Sequence, residues 1–269
     1  VSDLFGRQVS VQLGLAGTTG RAFSGLRTTF KVEMSRTSKP NPSTIELYNP
    51  SPESIALAQA PGCVVRLLAG YDLPRLIAQG NPVKRGVRLD HRGPDRVLHL
   101  EIHDGGQAYA EARLSLSFAT ATTTRQVFDA AALQLGLPAG AVRLVDKPLP
   151  RGFHFDGRVS DLLDRLAVND ASDWFIRDGT VCFVGSKDST GETALAISNA
   201  NGNLVGSPAP KEDGSVEVAA LLDPAMRPGV PFALTSLEFK GAYVARSVAF
   251  DGDTHGQSWY MKVVGVRRG

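Results

Sequence analysis

The chain has 269 residues, a formal net charge of +2, 42% hydrophobic and 21% charged residues. That length can bury a real core, as one large domain or two to three small ones, and the near-neutral charge excludes a strong electrostatic grip on nucleic acid or anionic membrane. Aromatics are scarce at 7%, while 28 Gly and 16 Pro favour many turns and a strand-rich fold.

"RQVSVQLGL" opens the pattern, with Val9, Val11, Leu13 and Leu15 on one face. "FKVEMSR" alternates Phe30, Val32 and Met34 against Lys31, Glu33 and Ser35, a strand with one face buried and one wet. "SKPNPS" breaks the alternation and "TIELYN" resumes it. "SPESIALAQAPG" predicts a short helix with Ser51 as N-cap, Pro52 at the first helical position and Gly62 as the stop. "CVVRLLAGY" and "NPVKRGVRLD" read as strands. "RVLHLEIHD" puts Leu98, Leu100 and Ile102 on one face and His99, Glu101 and His103 on the other. "ARLSLSFATA" follows with Leu114, Leu116 and Phe118 in register, completing a strand-rich region over 1–119.

Near residue 120 the style changes. "TTTRQVFDAAALQLGLP" carries a capping box, Thr123 with Gln126, then Val127, Ala131 and Leu135 on one helical face, and Gly136 to end it. "RVSDLLDRLAVND" predicts a second helix burying Val159, Leu163 and Leu166. In "WFIRDGTVCFV", Asp178-Gly179 between β-prone runs is a strong hairpin signal, because a type I′ turn needs positive φ at both central residues. Residues 120–188 therefore read as an α/β unit: helix, link, helix, hairpin. "GSKDSTGE" reads as a linker. From Thr193 the strand style returns over 189–269 in "TALAIS", "GSVEVAALL", "VPFALTS", "GAYVARSVAF" and "SWYMKVVGV".

Few residues suggest chemistry. Cys63 and Cys182 sit in apolar runs and read as small buried hydrophobes. A reducing compartment is the simpler assumption, with one distant disulfide as the alternative. His99, Glu101 and His103 share a strand face, but neighbours two apart are roughly 7 Å apart, so one metal bridges two at most. Alternation alone explains them. Gly14, Gly17 and Gly20 lack a P-loop's Lys-Ser/Thr ending and the dinucleotide-fold spacing, and read as a flexible loop. No G-x-S-x-G elbow is present. The pair Asp161 and Asp164 lies on a predicted helix. "VKRGVR" and "GVRRG" are modest basic patches of the kind that guard strand edges. In "FDGDTHGQSWY", the trio Asp251, Asp253 and His255 could hold a metal, but Asp251-Gly252 and Gly256 supply turn chemistry between two strands. The stretch reads as a hairpin corner in which Asp253 and Thr254 bond the loop backbone. No apolar run approaches the length of a membrane span. "VSDLFGRQV" lacks the apolar core of a secretory leader, so synthesis in the cytoplasm is expected.

Several pieces recur in one order: Leu204-Val205-Gly206-Ser207-Pro208, Leu221-Leu222-Asp223-Pro224, Pro228-Gly229, then Gly252-Asp253-Thr254 ahead of Gly256 and Trp259-Tyr260. At the front, "FKVEMSRTSKPNPSTIELYNPSPES" gives a strand, a Pro/Asn loop, a second strand and a short helix. "VVRLLAGY" and "TTTRQVFDAAALQLGL" follow. This order resembles the phage baseplate hub proteins, the family of T4-like tail hubs with late control protein D-like relatives in other myophages, some siphophages and R-type pyocins. The resemblance implies a mainly β fold in which two tube-like β-barrel regions (1–119 and 189–269) flank a small α/β domain (120–188). It implies a homotrimeric structural component of the virion tail baseplate, adapting the hexameric tail tube to a threefold spike. Its implied partners are a tail tube or distal tail ring protein, the tape measure protein, a spike or tail tip protein and other baseplate proteins. DNA would pass through the bore on ejection without specific binding. Larger hubs of this family carry extra domains or a fused spike, so a separate spike or tip protein is expected here. No catalytic residue, metal or cofactor is implied. The alternative class is a tail-associated cell-wall hydrolase working through Asp251, Asp253 or His255.

Overall fold

The computed structural model describes residues 6–15, 20–118 and 122–268. The chain opens with β1 (Arg7–Leu15), β2 (Arg21–Phe23), β3 (Thr28–Ser35) and β4 (Pro42–Tyr48). Helix α1 (Pro52–Gln59) leads to β5 (Cys63–Tyr71), β6 (Arg75–Arg92) and β7 (Asp95–His103). The middle third holds α2 (Gly106–Glu111), β8 (Arg113–Phe118), β9 (Thr122–Thr123), α3 (Thr124–Leu135), β10 (Ala139–Val142), β11 (Pro148–Leu149) and β12 (Phe153–Arg158). It closes with α4 (Val159–Asp170), β13 (Ser172–Arg177) and β14 (Thr180–Gly185). The last run contains β15 (Leu195–Ser198), β16 (Leu204–Pro210), β17 (Val216–Leu221), β18 (Pro231–Thr235), β19 (Lys240–Asp253) and β20 (Trp259–Arg267). The fold is mainly β with a small helical part, as the alternation predicts.

Strands of the first and last runs form one sheet in the order β16-β17-β20-β19-β3-β4-β7-β6-β5-β1-β2, with β18 and β15 branching from β19. Its seam is the antiparallel pair β3–β19, in register from Ser247 opposite Ser35 to Asp253 opposite Thr29. One hydrophobic cluster spans the seam. Val11, Val32, Ile45, Leu47, Leu98 and Leu100 come from one side, and Val218, Phe232, Val248, Phe250, Trp259 and Val263 from the other. Full burial of each such side chain stabilises by about 1.5–3 kcal/mol, so the two β regions share their main source of stability instead of folding around separate cores. The strand faces match the sequence pattern: Val9, Val11 and Leu13 are buried, as are Phe30, Val32 and Met34, and Leu98, Leu100 and Ile102. Both cysteines are free and buried, and burial raises the Cys63 thiol above its usual range.

Three expectations change. The strand with Leu114, Leu116 and Phe118 does not belong to the first β region. It pairs with β12, Phe153 opposite Phe118 through Arg158 opposite Arg113, and packs its apolar face into the core of the α/β unit. Alternation reveals a half-buried strand but not which core buries it. The second change is in α1. Ser51 caps it and Pro52 starts it as expected, but it stops at Ala60, whose extended backbone ends the turn before Gly62. Pro61 follows Ala60, and a residue before proline is driven out of the helical region. Third, β6 begins at Arg75, well before "NPVKRGVRLD". Its first half pairs with β5 and its second with β7, across an irregularity between Pro82 and Val87.

The α/β unit has its own core, in which α3 and α4 bury Val127, Phe128, Ala131, Val159, Leu163 and Leu166. Thr123 and Gln126 form the full capping box, and Gly136 ends α3 with φ of 68°. The chain between the helices is more than a link, because β10 runs parallel to β14 and builds the sheet β10-β14-β13. Asp178 and Gly179 both have positive φ, 51° and 71°, at the hairpin turn. Trp174, Ile176, Val181 and Phe183 of this hairpin pack on the helices, while Phe175, Cys182 and Val184 form a second buried face.

Candidate assembly surface

The corner at Phe250 to Tyr260 is closed by its own hydrogen bonds and by the N-terminal strands. The Asp253 backbone N–H donates to the Ser258 carbonyl at 2.8 Å. One Asp253 carboxylate oxygen accepts the His255 N–H at 2.8 Å, and the other accepts Arg27 Nη2 at 3.0 Å. Thr254 reaches across to Thr28, donating its N–H to the Thr28 carbonyl at 3.1 Å and accepting the Thr28 N–H on Oγ1 at 3.0 Å. Arg7 Nη1 donates to the Gly256 carbonyl at 2.9 Å. Burial alone would raise the Asp253 carboxyl, but Arg27 and the His255 and Gly256 amides outweigh it and hold it below the usual range. His255 is exposed, with Nδ1 at 2.9 Å from Thr254 Oγ1. Asp251 lies opposite Tyr260 and Lys31 in the strand register. The trio is therefore divided among different partners, with both oxygens of Asp253 already occupied.

Behind the corner, Trp259 is fully buried, edge-on to Phe30 at 5.6 Å between centroids and to Tyr71 at 6.4 Å. Gly252 sits opposite both Phe30 and Trp259, and a Cβ there would lie 2.2 Å from Phe30 Cζ. Gly252 is thus a strand residue of β19 fitted to the aromatic seam, and the turn expected at Asp251-Gly252 falls instead at residues 254–257, because the ladder to β3 and β20 runs on through Asp253.

A polar network continues across the wet face of the sheet. The Arg27 guanidinium lies 4.6 Å above the Tyr48 ring. Arg92 grips Glu46 with both terminal nitrogens, at 2.9 and 2.5 Å, and also donates to Tyr48 Oη at 3.0 Å. Thr29 donates to Glu46 at 2.9 Å, and His99 Nδ1 is 3.7 Å from it. Arg92 first, then Thr29, hold the Glu46 carboxyl below its usual range against the opposing effect of burial. His99 thus belongs to Glu46, Glu101 lies opposite Thr44, and His103 lies opposite Pro42 and Asn81. The three face different neighbours. Among the described residues there is no group of three or more His, Cys, Asp or Glu placed to hold a metal.

The remaining candidates have structural partners. Asp164 accepts the Trp174 indole N–H at 2.6 Å, while Asp161 stays exposed in the first turn of α4. Gly14 and Gly20 bring two backbone segments together: a Cβ on Gly14 would be 2.9 Å from the Gly20 Cα. Gly17 lies outside the described residues. Lys84 and Arg85 are exposed in the irregular stretch of β6, where Arg85 has φ of 64°.

Sequence reasoning missed the polar set that seats the α/β unit on the large sheet. Arg36 is buried and donates to the carbonyls of Asp188 at 2.8 Å and Gly185 at 2.6 Å. Asn41 accepts the Ser35 N–H and donates to the Ile176 carbonyl at 3.2 Å. Arg227 binds Asp178 at 3.1 Å, and Arg177 donates to the Pro228 carbonyl at 3.0 Å. The available signal was an arginine inside an apolar, proline-rich run, "AMRPGVPF", where a charge must find partners.

The edges of the sheet are open. Among the described residues, β2 pairs only with β1, β16 only with β17 and β15 only with β18. Pro208 and Pro210 blunt β16, since proline cannot donate to a neighbouring strand. Single apolar side chains stand out at two tight connections: Leu73, 78% exposed between β5 and β6, and Leu237, 100% exposed between β18 and β19. No helix among the described residues is long and apolar enough to cross a membrane.

No protein-family model and no curated protein sequence matches the chain. Solved structures do. A tail protein from Neisseria meningitidis MC58 superposes with a TM-score of 0.70 at 11% identity, over 97% of this chain and 96% of that one. The 43 kDa tail protein of prophage MuSo2 from Shewanella oneidensis gives 0.67 at 10% identity, over 97% and 98%. The E. coli c3393 protein, a type VI secretion component described as structurally similar to the T4 tail proteins gp27 and gp5, gives 0.64 at 12% identity, over 96% and 77%. The fold is therefore one shared with two tail proteins, one of them from a prophage, and with a type VI secretion component.

Proposed function

We propose that the chain is a structural component of a phage tail baseplate, the trimeric central hub between the hexameric tube and the threefold spike. The observation that carries this reading is the end-to-end superposition on two tail proteins, which leaves almost none of either chain unmatched. The order of motifs in the sequence points the same way independently. A hub must present similar surfaces to a sixfold ring from only three subunits, and two β regions per subunit, joined rigidly, suit that task. Here the two regions share one sheet and one core across β3–β19. Open edges at β2, β15 and β16 suit a subunit that meets neighbours along its strands. In this reading the tube or distal tail protein, the tape measure protein and a separate spike protein are the partners. The bore passes DNA without binding it specifically, and the protein resides in the virion tail. The alternative of a cell-wall hydrolase draws no support from the corner, because Asp253 is saturated by Arg27 and backbone amides.

The test is the mass of the purified protein by native mass spectrometry and light scattering. The proposal expects three chains of 28.6 kDa, about 86 kDa, with threefold class averages. A monomer at all concentrations, together with a mature particle that lacks the chain, contradicts it.

A further inference from the structure

The second half of β6 has a free side. β5 pairs with residues 75–80 of β6 and starts at Cys63, whose carbonyl accepts Asn81 Nδ2 at 2.9 Å. Beyond that point, among the described residues, 87–92 pair with β7 alone. The direction of their backbone groups follows from β7. Arg96 donates its N–H to Asn49 Oδ1 at 3.0 Å, and its carbonyl accepts the Asn49 N–H at 2.7 Å, both on the β4 side. His91 lies opposite Arg96, so in an antiparallel ladder it turns its own N–H and C=O away from β7. The period of two gives Leu89 and Val87 the same direction. Three donors and three acceptors therefore line an open edge.

The side chains along this edge divide by face. Val87 and Leu89 lie opposite the buried Leu100 and Leu98, yet Val87 is only half-buried and Leu89 is 39% exposed. The core face thus runs out at the edge without a cover. Arg88 lies opposite His99 on the wet face and is exposed, as are Lys84 and Arg85 in the irregular stretch and Arg96 near the tip. Over residues 84–96, Lys84, Arg85, Arg88, Arg92 and Arg96 face only Asp90 and Asp95 as acids. Arg92 is committed to Glu46 and Tyr48, and Asp95 accepts from Asn49. A hollow of about 370 Å³, lined by Gln59, Pro61, Val83 and Val87 among others, lies where β5 leaves the edge.

We propose that the free edge of β6 at Val87, Leu89 and His91 receives an extended segment of another protein, in which acidic residues alternate with apolar ones. The backbone of that segment pairs with the outward groups and adds a strand in line with β5. Its apolar residues cover Val87 and Leu89, and its acidic residues meet Arg88 and the neighbouring cations. Charge complementarity sets the sign of the partner and the pleat sets its alternation. A second copy of this chain does not supply the segment through its open edges, since β2 (RAF), β15 (LAIS) and β16 (LVGSPAP) carry no acidic residue. Basic residues on an edge also guard it against pairing, but guarding gives no reason for an apolar side chain exposed in mid-edge.

The test is fluorescence anisotropy of the full chain with short labelled peptides, one alternating glutamate with valine and one alternating lysine with valine. The glutamate peptide should bind about tenfold tighter or more, and the difference should shrink as salt rises. Hydrogen exchange should slow at the Val87, Leu89 and His91 amides when the glutamate peptide binds. Leu89→Pro removes one outward donor without touching a bond to β7. It should weaken the peptide by about fivefold, while the Arg88 and Asp90 amides keep their protection. No binding of the glutamate peptide at low salt, protection at other amides instead, or equal affinity of Leu89→Pro overturns the proposal and leaves the cations as guards of the edge. If Leu89→Pro does not fold, Arg88→Glu decides. It should narrow the gap between the two peptides, and an unchanged gap also overturns the proposal.

Discussion

Replacing Gly252 with alanine tests whether the two β regions are one cooperative structure. Gly252 pairs with Phe30 across the seam and with Trp259 across the hairpin. The new methyl carbon would lie 2.2, 2.6 and 2.9 Å from three Phe30 ring carbons, well inside contact distance. Phe30 has little room to yield, because it is 4% exposed and sits edge-on to the fully buried Trp259. Overpacking of this kind costs about 1–3 kcal/mol. At about 2–4 °C per kcal/mol for a chain of this size, the melting temperature should drop by about 2–12 °C. The assay is thermal and urea unfolding, followed by Trp259 and Trp174 fluorescence. Because the seam joins both β regions, they should lose stability together. On a Phe30→Leu background the alanine should add less than about 0.5 kcal/mol, since the clash is gone. A melting temperature within about 1 °C of wild type, or loss of the last β run alone, refutes a shared core.

Other expectations concern single interactions. Thr123→Ala removes one half of the capping box on α3 and should cost about 1 kcal/mol in urea unfolding, recovered in part by serine. Arg227→Ala strips the partner from Asp178 and the donors from three carbonyls, and should cost about 3 kcal/mol or more. It should also raise hydrogen exchange through β13–β14. Asp253→Asn weakens the tie to Arg27. Because the Asp253 carboxyl is held low in the folded chain, its contribution is present above pH 3.8 and fades as pH falls through the folded value. The variant should therefore lose stability at neutral pH and show a shallower acid unfolding curve than wild type. Equal slopes for the two proteins would contradict the assigned role.

Local signals were legible in the sequence because their physics is local. The Thr123–Gln126 box, the Asp178-Gly179 turn and the β-strand alternations depend on residues a few positions apart, and each stands where the pattern puts it. Partners distant in sequence were not legible. Asp253 and Arg27 are separated by 226 positions, and nothing in either strand announces that β19 lies beside β3. For the same reason β8 was assigned to the first sheet, as its alternation fits any half-buried face. The corner is a hairpin as its Asx and Ser/Thr loop chemistry predicts, but Asp251-Gly252 lie in β19 and not in the turn, and the Arg27 and Thr28 clasps come from the tertiary fold. The seating set of Arg36, Asn41, Arg177 and Arg227 was missed entirely. A buried charge is recognised by its partners, and those partners come from segments far along the chain.

The most direct test of the proposed role is a cryo-electron microscopy reconstruction of the assembled tail tip. The account predicts three copies of this chain in one ring between the last sixfold layer and the spike, with both β regions of each copy around the bore. A particle whose ring at that position is built from other chains, with this one absent or bound singly outside the axis, contradicts it.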